Sequence, residues 1–299
     1  MLDGCGDSSP YNAVCYAGRH MKSDSTCESV VAHPHVNVLG VDVSAVNMEA
    51  AIDLAARWIA TGRSGYICMS GVHGVMEAQS NLQLGQILNN AVINAPDGMP
   101  MSWIGWLRGH AQMDRVYGPD FMTNVCRLSI SKGYRHYLYG GQPGVAQSVK
   151  NALEERCPGL QIVGIFCPPF RPLSREEEDA FFDDVWHAKP DVLWVGLSTP
   201  KQECFMGKYV ERLGVPLLIG VGAAFDFHAG RIHDAPGWIK RLGLQWLHRL
   251  LQEPRRLWQR YLLNNPVFLW KIALQLLNLR SYEHESPPAP KAAPSTTNS

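Results

Sequence analysis

The sequence predicts an α/β fold, a largely parallel Rossmann-like sheet wrapped by helices and followed by a helical C-terminal appendage. Three observations carry this. Short apolar runs alternate with longer amphipathic stretches from residue 36 to about 221. Polar turns containing glycine stand at the ends of the apolar runs. After Phe227 no further strand pattern occurs, while basic and aromatic residues become dense.

Taken in order, strands are predicted at 36–41, 65–69, 92–94, 136–139, 161–166, 192–197 and 217–221. Helices are predicted at 47–60, 75–91, 100–107, 120–132, 144–156, 175–187 and 201–213. Strands joined by crossover helices imply parallel pairing. Residues 1–35 read as a loose leader and 36–235 as the α/β core. Residues 236–283 read as two or three helices broken at Pro254 and Pro266, and the Pro/Ala/Ser/Thr-rich segment 284–299 as a disordered tail. Because strand signals end before Pro236, the core is expected to fold without the appendage.

Composition narrows the function. Of 299 residues, 46% are hydrophobic and 18% charged, as suits a chain with a sizeable core. Lys+Arg and Asp+Glu number 27 each, so no overall field points to nucleic acid. Between Lys240 and Arg280, however, eight basic residues face one acid, Glu253. Eight scattered cysteines form no CxxC pair, which argues for reduced thiols rather than disulfides or zinc. No apolar signal segment opens the chain, and no stretch reaches the length of a spanning helix. A protein that is cytoplasmic, or peripheral to a membrane, is therefore expected.

Neither a GxxxxGK[ST] phosphate loop nor a GxGxxG fingerprint occurs. The pairs His33/His35 and His228/His233 lack partners at ligand spacing, so no metal site is predicted. What remains is a set of five turns at strand ends. They hold Ser70 and His73; Asp97; Gly140 and Gly141; Gly196 and Gln202; and Gly222. Carboxyl ends of parallel strands and the helix N-termini beside them accept phosphates. Each turn alone reads equally as an ordinary βα connection; five together favour a nucleotide-sized ligand.

Asp97 follows an apolar strand and precedes Gly-Met-Pro, so it can cap the next helix or accept a proton from a substrate hydroxyl. Arg115, in a tight loop before another helix, can pair with a diphosphate or with its neighbours Asp114 and Asp120.

The strings NAPDGMP, RVYGPD, GGQPG, CPPFRPLSREEEDA, VGLSTPKQE, GVGAAFDFHAG and GLQWLHRLLQEPRRLWQRYL occur in that order between Asn94 and Leu262. In order and spacing they resemble the WecG/TagA/CpsF glycosyltransferases (glycosyltransferase family 26), and the likeness extends over about 36–268. The resemblance implies an inverting transfer from a UDP-sugar to a polyprenyl-diphosphate-linked saccharide in bacterial surface-polysaccharide synthesis. It implies that Asp97 is the general base, that Arg115 and Gln202 lie in the active site, and that Arg249, Arg256 and Arg260 close over it at an anionic membrane surface, the inner face of the plasma membrane. With no Asp-x-Asp in the chain, a reaction needing no metal cofactor is expected. Self-association is left open, as is the donor sugar among N-acetylmannosamine, its uronic acid, glucose and glucuronic acid. One departure stands out. The family's T-x-N positions fall on Met69 and Gly71, leaving Ser70 or His73 to supply the polar contact.

Overall fold

A computed structural model describes residues 32–282. Most of the expected leader and all of the expected tail lie outside these residues. Six strands form one wholly parallel sheet, β3 (Gly65–Ser70), β4 (Ile93–Pro96), β5 (Arg135–Gly140), β6 (Gln161–Phe166), β7 (Val192–Gly196) and β8 (Leu217–Gly220), in the order β4-β3-β8-β7-β5-β6. The parallel α/β architecture is thus as predicted.

Continuous apolar runs make this sheet possible because both of its faces are covered. Successive side chains point to opposite faces. Leu193, Val195 and Leu218 enter one core, with β1 (His35–Val38), β2 (Val41–Ser44), α2 (Val72–Ala78), α3 (Leu82–Asn89), α4 (Met99–Leu107), α7 (Arg175–Ala188) and α8 (Lys201–Leu213). Val192, Trp194 and Ile219 enter the other, with α1 (Met48–Ala60), α5 (Gly118–Lys132), α6 (Val145–Arg156) and α9 (Ala224–His228).

Two expectations need correction. The run 36–41 is no strand of the main sheet: β1 and β2 form an antiparallel hairpin. Leu39 and Gly40 both take positive φ (53° and 83°), the backbone of a two-residue turn matched to strand twist. Ser44 and Asp42 then fasten the hairpin to β4 through the Asn94 backbone N–H and side-chain amide, at 3.0 and 2.9 Å. The stretch 75–91 is likewise two helices. Asn81 accepts from the Leu84 N–H at 3.1 Å and so starts α3 anew.

Four further helices follow, α10 (Gly237–Arg241), α11 (Gln245–Gln252), α12 (Pro254–Leu262) and α13 (Asn264–Leu276). Pro254 opens α12, as expected, whereas Pro266 sits in the first turn of α13, where its missing N–H costs no bond. Helix α13 returns to the α/β unit. Phe268 and Ile272 are buried in the first core, and Gln275 accepts from the Leu39 N–H (3.0 Å) while donating to Asn37 (2.7 Å).

Candidate active site

The carboxyl ends of β3, β5, β7 and β8 open into one large cleft of about 2830 Å³, roofed by α11 to α13. Strand order reverses about this point: β3 leads outward to β4 on one side and β5 to β6 on the other. That is where an open α/β sheet leaves room for a ligand.

Asp97 lies one residue past β4 and lines the cleft. Its N–H donates to the Ser70 carbonyl (2.9 Å), which stitches the β3 and β4 ends together. Burial raises the pKa of its carboxyl, and the positive charges of Arg115, Arg249 and Arg260 pull against that rise. Gly98, not Asp97, is the residue that caps α4, and it makes no side-chain cap bond. The choice left open by the sequence therefore tips away from a capping role.

Arg115 also lines the cleft. Neither Asp114 nor Asp120 pairs with its guanidinium, which stacks over the Tyr117 ring at 4.3 Å. The Tyr117 hydroxyl donates to Asp234 (3.1 Å), and Lys240 lies over the same ring while also pairing with Asp234. The appendage supplies Arg249, Arg256 and Arg260 to the cleft. Arg249 and Arg256 share Glu253 at 3.2 and 3.0 Å. Arg260 is half-buried, and desolvation first, then the Arg249 and Arg256 charges, lowers its pKa. An arginine does not lose its proton in such a site, so Arg260 holds its charge where water is scarce.

Gln202 and its neighbour Glu203 are both buried at the start of α8. The Gln202 amide donates to Glu203 Oε1 at 2.9 Å, and Thr199 Oγ1 donates to the same oxygen at 3.0 Å. Burial is the main influence on Glu203 and raises its pKa. His73 lines the cleft as a neutral ring: burial first, then Arg260, bring its pKa down to about 3, so its 3.6 Å approach to Glu77 is no ion pair at neutral pH.

The remaining predicted residues divide. Gly141, Gly196 and Gly222 line the cleft; Gly140 and Ser70 do not. Gly140 has a structural task, because at φ 116° a Cβ would strike the Gly196 backbone at 2.7 Å. The Ser70 hydroxyl is buried with no partner among the described residues, so of the two candidates for the missing polar contact only His73 reaches the cleft. Gly71 lies so near that a Cβ would come within 2.8 Å of the Asp97 carbonyl. Tyr117 and Glu203 are functional candidates that sequence reasoning passed over, although both fall inside strings it singled out. His228 is buried between Arg156 and the Pro119 carbonyl, each at 3.1 Å.

The chain is similar in sequence to known enzymes. An enzyme of Bacillus spizizenii named N-acetylglucosaminyldiphosphoundecaprenol N-acetyl-beta-D-mannosaminyltransferase is 26% identical over 209 residues, covering 70% of this chain and 79% of that one. A Bacillus subtilis protein of the same name is 27% identical over 176 residues, 59% of this chain and 66% of that one. The profile of the glycosyl transferase WecG/TagA/CpsF family matches residues 36–282, almost the whole described chain. The half-buried carboxylate and the arginines around it thus sit in a glycosyltransferase, and the chain belongs to the WecG/TagA/CpsF family.

Proposed function

We propose that the protein transfers a sugar from a UDP-sugar, with inversion, to a hydroxyl of a polyprenyl-diphosphate-linked saccharide, at the inner face of the plasma membrane. The product would extend a lipid-linked precursor of a bacterial surface glycan. The names of the two Bacillus relatives support the lipid-linked acceptor and make N-acetylmannosamine the first donor sugar to try.

One observation carries the reading: a partly buried carboxylate, Asp97, is opposed by Arg115, Arg249 and Arg260 in a single cleft. Asp97 takes the proton of the acceptor hydroxyl as its oxygen bonds to the sugar C1. The bond from C1 to the diphosphate breaks on the far side, and UDP departs with the electron pair. Proton removal of this kind contributes about 10²- to 10⁴-fold in rate. The guanidiniums stabilise charge that develops on the leaving diphosphate and remain charged throughout. On this reading Asp97 must be ionised, so activity is lost as pH falls through its raised pKa.

Asp97→Asn tests the assignment. Sugar transfer to a lipid-linked acceptor should fall by at least about a hundredfold, with UDP-sugar affinity retained by calorimetry. Near wild-type transfer by the purified variant would remove Asp97 from the chemistry.

A further inference from the structure

Helix α4 follows Asp97 directly and has two unlike faces. Met101 and Ile104 are buried in the core, whereas Trp103, Trp106 and Leu107 are 43%, 45% and 71% exposed. These three share one side of the helix by their spacing. The Trp106 indole N–H donates to the Met113 carbonyl at 2.7 Å, so its polar atom is satisfied from within. No ionisable residue occurs in α4, and the exposed Arg108 comes next.

This face is continuous with the appendage. At Gly243 (φ 70°) the turn before α11 lies against Trp103, close enough that a Cβ would come within 3.0 Å of its ring. Beside that turn Leu242 and Leu244 are exposed at 58% and 37%. Exposed apolar residues joined across two parts of a chain mark a contact surface. Arg108 is exposed directly after α4, and Arg255 and Arg256 are exposed on the appendage that this face joins; of the acids, Asp114 is exposed and accepts from the Arg115 N–H, and Glu253 is held by Arg249 and Arg256. A second copy of the chain would set these cations against one another. An anionic bilayer suits them, and tryptophan favours the headgroup level. No helix among the described residues is long and apolar enough to cross a membrane, so the contact would lie in the interface.

We propose that α4 is a second bilayer-contacting element, carried by the α/β unit itself rather than by the appendage. The proposal rests on the membrane-side reading of function given above. Its consequence is that the bilayer bears on the helix that begins two residues after Asp97. A nine-residue helix is about 14 Å long, so the reacting carboxylate would sit within about that distance of the lipid surface.

The test compares Trp106→Gln/Arg108→Glu, two positions outside the cleft lining, with wild type and with the appendage variant Leu251→Asp/Arg255→Glu, all full-length. The α4 variant should bind vesicles of phosphatidylglycerol and phosphatidylcholine at least about tenfold more weakly. Transfer to a long-chain acceptor in those vesicles should fall with binding, while transfer to a short-chain acceptor free in solution stays within about twofold. Unchanged thermal unfolding without lipid shows that the fold is intact, and Arg108→Glu alone, at an exposed position, should give an intermediate loss. Vesicle binding weakened by the appendage variant but not by the α4 variant overturns this inference and leaves the functional reading standing. A changed oligomeric state with unaltered vesicle binding also overturns it and makes the face a contact between copies. If wild type ignores vesicles yet transfers sugar to the soluble acceptor, both membrane assignments fall and the chemistry survives.

Discussion

Gln202 and Glu203 show how much one buried hydrogen bond can decide. Glu203 Oε1 receives both the Gln202 amide and the Thr199 hydroxyl, and this fixes which end of the amide faces away from it. Replacing the acid by methionine would orphan a buried donor at roughly 1–3 kcal/mol, and Gln202 would turn within the cleft. We expect Glu203→Met to lower kcat/KM about tenfold or more, and Glu203→Gln, which keeps an accepting oxygen, to cost far less. Added to Gln202→Ala, Glu203→Met should have little further effect, since it acts through the lost amide. Multiplying losses in that double-mutant cycle would show that Glu203 acts independently. Sequence alone pointed to Asp97, Arg115 and Gln202 through the strings that contain them. It did not reveal Glu203, because an acid in the first turn of a helix reads as a favourable surface charge, and only the packed structure shows it buried.

Among the elements, the six parallel strands were legible because each is a short apolar run followed by a turn. The hairpin was not: its turn, Leu39-Gly40, lies between apolar residues, so β1 and β2 read as one strand. Helix α13 holds something the sequence did not show. Leu269 and Trp270 stay exposed, while Phe268 and Ile272, four residues apart on one face, fill the core. That changes the expectation for truncation, since a chain cut at Pro236 would lose these side chains and Gln275 together. Phe268→Ala alone should destabilise the protein by about 3–5 kcal/mol, read as a shift of the chemical-denaturation midpoint. A shift below about 1 kcal/mol, the level of a surface substitution, would show that α13 is merely laid against the core.

For the molecule as a whole, neutrality hides a division of charge, with the arginines gathered over one cleft. Among the described residues no three His, Cys, Asp or Glu side chains are grouped to hold a metal ion. If the guanidiniums supply the positive charge, exhaustive chelation should leave the transfer rate within about twofold. Activity abolished by EDTA and restored by Mg²⁺ or Mn²⁺ would place a metal in the reaction instead. The burial of α13 also changes what kind of object the appendage is. With Ala235 buried at one end and Phe268 at the other, α10 to α12 form a strap fastened on both sides, not a free tail. A strap can lift but cannot drift away, so Arg249, Arg256 and Arg260 stay at an effective concentration on the order of millimolar or higher over the cleft. If the strap opens to admit a ligand, its arginines are not lost from the molecule, and diluting the protein would not slow their return.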